Sequence, residues 1–517
     1  MTTIDPRSTA TARIDVAEQV DVLVVGGGPA GLAAAIAAAR AGKSVVLVDE
    51  NPVPAEVMGD DVPLHFGQRM DGSVRNRNAM LEAMLASEPM LEAAIEAGVD
   101  VRLGTVVWGL YVNGPSVAWL PGMVAGLSDG ATASMLGCSA AIVAAGRRDM
   151  GLAFPGWELP GVMGATAAER LATRYGALEA RQAVVLGTGA EALLAALAMR
   201  RVGVEVTIVE QAAAPVGPVA LLEQVASAGI EVLTRHVIAG AEGGSEGVAE
   251  ARIVGLDAAG QRVAARERAV VCDTIVLGIG AVPVIELLDA AGCRTAWSAE
   301  RGGYVPVVDG AQMTSVPGIY AVGDCAGVWA DKSMDRGVAE AEGRLAAAQV
   351  VGAAGEAAAA PSGSVPEAYR FDWVRAAVVE AVGGEPYVCQ CEEVTAREIL
   401  EVHPPRYLKW ERPRRNSADL ASLLGEGAPN PDQVKRLTRA GMGLCQGRRC
   451  REQVAALLAL GAGQRLETVP LASYRAPVRP MPLAVAGSMQ ATGEMAAHWD
   501  VWFGIEGQVT PYWEIEP

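Results

Sequence analysis

The sequence predicts an α/β protein in which two dinucleotide-binding folds precede a small four-cysteine domain. Three observations carry this: a glycine-rich turn between two apolar strands near the start of the chain, a second copy in its middle, and two close pairs of cysteines in its last third. The 517 residues leave room for three or four domains, at about 100–200 residues each. A composition 51% hydrophobic and 20% charged is that of a folded chain. A net charge of −18 excludes a nucleic-acid surface and disfavours docking on anionic lipid. No apolar run reaches the roughly 18 residues that predict a transmembrane helix. Residues 1–20 lack the apolar stretch of a signal peptide and read as a polar arm. Eight cysteines are too sparse for a disulfide framework, so a cytoplasmic, reducing setting is expected.

From Asp21 the chain reads DVLVVGGGPAGLAAAIAAARAGKSVVLVDE: a buried strand, a tight turn, a small-residue helix and a second strand. Gly26, Gly28 and Gly31 form G-x-G-x-x-G, and Asp49 follows 18 residues after the last of them. Such glycines let backbone N–H groups and a helix N-terminus approach a pyrophosphate, while the acid accepts a ribose hydroxyl. Glu50 is the alternative acid if the register is shifted by one. Residues 182–210 repeat the pattern, with Gly187, Gly189 and Ala192 as the fingerprint and Glu210 again 18 residues on. This copy predicts either a second nucleotide site, for NAD(P) or ATP, or a vestigial fold with an empty pocket. A third element, TSVPGIYAVGDCAG over Thr314–Gly327, places Gly323-Asp324 at the end of a short strand before a helical segment. An aspartate there reaches a ribityl hydroxyl, and the helix N-terminus faces a flavin ring, so FAD is the expected cofactor of the first fold. Ile142–Gly146 reads as the strand that returns the chain beneath it, ending at Gly146.

This order resembles the two-dinucleotide-domain flavoproteins of the glutathione-reductase type. The resemblance implies an FAD domain in two pieces, 21–150 and 301–352, with a second nucleotide domain inserted over 151–300. Two departures are visible. The Gly-Gly pair common after the ribose acid is replaced by Pro54-Ala55-Glu56, and no C-x-x-C pair follows the first fingerprint. Without a redox disulfide, a thiol-relay reductase is disfavoured.

The stretch 353–385 begins Ala/Gly/Ser/Pro-rich and reads as a linker. Beyond it, over 386–468, Cys389-x-Cys391 is followed after 53 residues by Cys445-x4-Cys450. Four thiolates in two pairs suit a 2Fe–2S cluster or a structural zinc. Gly441, Gly443 and Gly447, whose amides can approach sulfide, favour iron–sulfur, as do the cations Arg448, Arg449 and Arg451. Cys138, Cys272, Cys293 and Cys325 sit in apolar contexts and read as core thiols.

CQCEEVT followed by TRAGMGLCQGRRC, behind a split FAD domain, resembles the FAD- and 2Fe–2S-binding subunit of heteromeric amine and imino-acid dehydrogenases. The group includes opine and hydroxyproline dehydrogenases and the flavoprotein subunit of hydrogen cyanide synthase; similar segments occur in the alpha subunit of heterotetrameric sarcosine oxidase. The resemblance implies a small (BFD-like) cluster domain and an electron-transfer subunit. It also implies a smaller FAD-dependent oxidase-like partner with a third small subunit left open, and room for FMN at a subunit interface. His403–Gly427 reads as an insertion relative to that family.

General bases are scarce. His65 is the weak catalytic candidate, while His236, His403 and His498 read as structural or surface residues. That scarcity agrees with oxidation of an amine or imino-acid substrate at a flavin in the partner. Two readings compete with it: a self-sufficient NAD(P)H reductase and a non-enzymatic redox-sensing scaffold. Residues 469–517 hold Tyr474, Trp499, Trp502, Phe503, Tyr512 and Trp513, six of 23 aromatics, and are expected to form an aromatic docking tail, either on the chain's own body or at a subunit interface.

Overall fold

The computed structural model describes Val16, residues 18–52, 69–71, Val74, 76–114, 120–355, 357–363, 365–366, 368–380, 386–405, Leu408 and 419–488. The first fold begins with β1 (Glu18–Val25), α1 (Pro29–Arg40) and β2 (Val45–Asp49). β1 and β2 pair in parallel, Val22 opposite Val45 through Val25 opposite Val48. Helices cover both faces of such a strand, which explains their near-unbroken apolar sequence. α1 lies close on the sheet because its buried residues are mostly alanine. At Gly31 no larger residue fits: an added Cβ would lie 1.9 Å from the Gly26 carbonyl oxygen.

β3 (Asp100–Leu103), β4 (Val106–Tyr111), β5 (Met123–Ser128) and β6 (Ala133–Val143) complete the sheet in the order β3-β2-β1-β6-β5-β4. β6 pairs antiparallel with β5 through its first half. Its last three residues pair in parallel with the strand Ile319–Ala321. That pairing brings residues beyond 300 back into the first sheet.

Between the two pieces lies a second parallel sheet. β7 (Val162–Gly164), β8 (Gln182–Leu186), β9 (Glu205–Glu210), β10 (Glu231–Thr234) and a later strand, Thr274–Leu277, follow the order β10-β9-β8-(274–277)-β7. α2 (Ala190–Arg201) follows β8. An antiparallel meander, His236–Gly244, Gly247–Leu256 and Arg262–Val271, covers its flank.

The cysteine domain consists of the hairpin Tyr387–Cys389 with Val394–Thr395 and short helices, of which Arg451–Ala462 is the longest. It is seated on the second fold. The Trp157 indole donates to the Tyr387 carbonyl at 2.7 Å, and Ala153 N–H donates to Gln453 Oε1 at 2.7 Å. A single apolar core runs from Phe154 and Trp157 through Val388, Cys389 and Leu457.

The stretch expected to be a linker corrects part of the sequence reading. Residues 368–374 form a helix and 375–379 a π-helical turn, with Tyr369, Trp373 and Val374 buried. Tyr369 and Trp373, four apart, share one helix face, a period the Ala/Gly/Ser-rich stretch before Pro366 lacks. The described part of the tail packs on the chain's own body, with Val469, Tyr474 and Val478 buried. Among the described residues no helix is long and apolar enough to cross a membrane.

Candidate functional site

A deep cleft opens over the first fingerprint. Gly26, Gly28, Asp49, Glu50, Gly146, Arg147 and Asp149 form one wall, while Arg448, Arg449 and Arg479 come from the cysteine domain and tail. Gly26 adopts φ +109°, and a Cβ there would meet the Ala144 carbonyl. Gly28 differs: nothing lies within 4 Å of where its Cβ would stand. It is the N-cap of α1 with no side-chain cap, so the first helical N–H groups face the cleft uncapped. Asp49 points at the same loop, accepting Gly27 N–H at 2.5 Å and Asn51 N–H at 2.8 Å. Glu50 is engaged elsewhere, in an ion pair with Arg479 at 2.8 Å. Asp49 is therefore the acid aimed at the fingerprint. An open glycine, an uncapped helix start and a neighbouring carboxylate fit the pyrophosphate and ribose of a dinucleotide such as FAD.

Deeper in, Gly146 has φ +76° with open space above it. Arg147 Nε stands 3.6 Å from Asp324, and its Nη1 donates to Ser333 Oγ at 2.6 Å. Asp149 accepts from Thr166 N–H and Oγ1–H, yet burial pushes its carboxyl up to about 6. Gly323 takes φ +69°, and its N–H donates to Glu342 Oε2 at 2.7 Å. Lys332 closes this clamp. Its ammonium lies 2.7 Å from Glu342 Oε1, 3.1 Å from the Gly323 carbonyl and over the Trp329 ring at 3.7 Å. Burial pushes Glu342 up and Lys332 down. Sequence reasoning missed this pair. Lys332 and Glu342 are two of seven charged residues from Asp331 to Arg344, and nothing in their spacing singles them out.

The four paired cysteines converge. Cys389 and Cys391 sulfurs are 3.9 Å apart and Cys391 and Cys445 3.7 Å, and the Cys450 thiol interacts with Cys389, helping to raise it. Gly441 N–H donates to Cys389 Sγ at 3.3 Å, and a Cβ on Gly443 would come within 2.5 Å of Cys391 Sγ. The hydrogen-bonded thiol of Cys389, followed by burial, pushes Cys391 up to about 11; the Cys391 thiol and burial likewise raise Cys445. Four crowded thiols lose their protons together only if a cation compensates them, which is the chemistry of a thiolate-bound metal centre. Among the described residues no three His, Cys, Asp or Glu side chains are drawn around one point as a single ion requires. Cys450 directly follows Arg448 and Arg449 of the cleft wall, and Arg449 hydrogen-bonds to Gln390, between the first two cysteines.

The second fingerprint is placed differently. Gly187, Thr188, Gly189 and Ala190 are all buried, and so is Glu210, whereas Gly26 to Pro29 and Asp49 are half-exposed. Ala192 packs against Gly278, where an added Cβ would touch it at 2.5 Å. Of the histidines, His236 holds the Thr234 carbonyl through Nδ1 at 2.8 Å, and half-buried His403 lies 3.7 Å from Glu401. Neither lines the cleft. His65, His498, Pro54–Glu56 and the tail aromatics beyond Tyr474 lie outside the described residues. Cys138, Cys272, Cys293 and Cys325 are buried and none of the eight cysteines is in a disulfide. Burial pushes Cys138, Cys272 and Cys325 up to about 12.

Among known families, residues 20–355 match the pyridine nucleotide-disulphide oxidoreductases, and residues 416–490 match the sarcosine oxidase A3 domain. The chain is similar to the A component of opine oxidase from Agrobacterium tumefaciens (strain Ach5), 28% identical over 91% of this chain and 92% of that protein. It is 27% identical to the HcnB component of hydrogen cyanide synthase from Pseudomonas protegens, over 83% of this chain and 89% of that one. The alpha subunit of sarcosine oxidase from Rhizobium meliloti is 26% identical over 55% of this chain but only 27% of its own length. Among solved structures, L-proline dehydrogenase from P. horikoshii shares the fold, with TM-score 0.59 and 18% identity over 92% of this chain and 80% of that one. These relatives are the ones the cysteine motif and split fold lead one to expect.

Proposed function

Because the chain belongs to the pyridine nucleotide-disulphide oxidoreductase family, we propose that it is the FAD- and 2Fe–2S-carrying subunit of a heteromeric oxidoreductase. The complex oxidises the C–N bond of an amino or imino acid, opine or secondary amine at a flavin in a smaller partner protein, and this chain moves the electrons onward. One observation supports this most: the dinucleotide cleft and the four-thiol cluster share a wall, Arg448–Arg449, immediately before Cys450. Two redox groups seated there would be near neighbours. The names of the relatives point the same way, since the opine oxidase and sarcosine oxidase chains are both named as subunits.

In this reading Gly26, Gly28, Gly31 and Asp49 hold the adenine-nucleotide half of FAD, and Gly146, Gly323 and Asp324 its ribityl end. Cys389, Cys391, Cys445 and Cys450 hold the iron. FAD supplies two-electron acceptance and the cluster supplies one-electron relay; the chain's own residues bind, orient and neutralise. Arg448, Arg449 and Arg451 offset the charge of a thiolate-ligated cluster. The amide of Gly441 donates to Cys389 Sγ, where a hydrogen bond to sulfur raises a reduction potential. The cleft contains no histidine among the described residues, which suits a protein whose substrate chemistry occurs elsewhere. A cytoplasmic setting, a third small subunit and an interfacial FMN belong to the same proposal.

Co-expression with a small flavin oxidase-like subunit tests it. The complex should co-purify and reduce a dye in an amine-dependent way, while the isolated chain should not. Full amine oxidation by the isolated chain would refute it.

A further inference from the structure

We infer that the second dinucleotide fold is a receptor for the chain's own residues 365–366 and 368–379, and that Tyr369 excludes nucleotides from it. The two fingerprints invite comparison position by position. In the first, the N–H between the first two glycines, that of Gly27, donates to Asp49, and Asp49 lines the open cleft with Gly26 and Gly28. In the second, the corresponding N–H of Thr188 donates to the Tyr369 hydroxyl at 3.0 Å. That hydroxyl in turn donates to Glu210 Oε2 at 2.7 Å. A tyrosine oxygen thus bridges the loop amide and the ribose-binding acid, the two groups a dinucleotide would join.

The acid has little left to offer. Glu210 is 0% exposed, and besides Tyr369 it accepts Thr188 Oγ1–H at 2.5 Å and Ala212 N–H at 2.8 Å. Gly187 and Gly189, which should leave room for phosphate, are covered. A Cβ on Gly187 would lie 3.0 Å from the Tyr369 hydroxyl, and one on Gly189 3.8 Å from the Val365 side chain.

The segment is anchored on both sides of Tyr369. Arg370 donates to the Gly302 and Ala281 carbonyls at 2.5 and 2.7 Å. Arg262 holds the Ala376 and Ala377 carbonyls at 2.8 and 3.2 Å, and Trp373 is fully buried. Ten residues after Val379 stands Cys389. The vacated nucleotide site has therefore become the socket that ties the cysteine domain to the body. Hydride from NAD(P)H has no seat in this fold, so reducing equivalents enter from the substrate side.

Titration of the purified full-length chain with ADP and with NADH, by calorimetry and by hydrogen exchange at residues 186–190, tests this. Nucleotide uptake is scored apart from flavin and iron content, so the result does not depend on the proposed electron-transfer role. The wild type should take up neither ligand at millimolar concentration, with exchange over 186–190 slow and unchanged. Tyr369→Ala should bind ADP at least about tenfold more tightly than wild type, with faster exchange over 186–190 when free. Tyr369→Phe keeps the ring in place and should still exclude ADP. Saturable binding of ADP or NADH by the wild type, with protection of 186–190, would overturn the inference. So would a folded Tyr369→Ala protein that gains no ADP affinity. Should Tyr369→Ala not fold, the wild-type and Tyr369→Phe titrations decide alone.

Discussion

Replacing Lys332 by methionine is the sharpest test of how the Gly323–Asp324 turn, proposed above to hold the ribityl end of FAD, is kept in place. Lys332 and Glu342 are 4% and 2% exposed and meet at 2.7 Å. At an effective dielectric of about 20, two unit charges at that separation attract by about 6 kcal/mol, roughly what desolvating both costs. The intact pair is therefore close to neutral for stability. Removing one partner is not: a buried carboxylate is left with the Gly323 N–H as its hydrogen-bond donor, and such losses cost about 3–5 kcal/mol. The same change frees the Gly323 carbonyl and loosens the turn carrying Asp324, so FAD affinity should fall with stability. Urea unfolding followed by flavin release reads both. Adding Glu342→Gln should recover most of the loss, because a neutral amide oxygen still accepts the Gly323 N–H. A Lys332→Met protein within about 0.5 kcal/mol of wild type, the range of surface substitutions, would refute the clamp.

Gly28→Val should leave the apoprotein as stable as wild type, since φ −82° suits any residue and nothing stands near its Cβ, yet abolish FAD retention. The ratio of flavin to protein absorbance checks it, with Gly31→Ala as the contrasting variant that destabilises the fold itself. Cys391→Ser should remove iron and acid-labile sulfide while FAD content stays whole, as metal and flavin analysis would show. Asp149, raised by burial to about 6 from 3.8, contributes stability that is complete below about pH 4 and lost as pH climbs through about 6, on the order of 2–3 kcal/mol. Melting curves of wild type against Asp149→Asn should therefore diverge between those pH values and run parallel above and below them.

How much of this was legible in the sequence depended on how far apart the interacting residues lie. Gly26, Gly28, Gly31 and Asp49 sit in one βαβ unit, where turn geometry and ribose chemistry leave a local pattern. The cysteine pairs were legible because only their spacing matters. Glu210 was legible as a fingerprint acid but not as a sealed one, since its partner Tyr369 lies 159 residues on, inside a stretch whose preceding alanines and glycines suggested a linker. Arg148 binds Glu286, 138 residues away, and Glu452, 304 residues away at 3.0 Å. No periodicity announces such pairings. Glu50 was the opposite case: plausible by register, but claimed by Arg479 from the tail.

The most direct measurement is the cofactor content of the purified full-length chain, with its EPR spectrum after dithionite reduction. The expected result is one FAD per chain, with iron and acid-labile sulfide in equal amounts at twice the flavin, and the spectrum of a reduced two-iron cluster. Zinc bound to the four thiols, or a flavin-containing protein with neither iron nor sulfide, would contradict the proposed electron-transfer role.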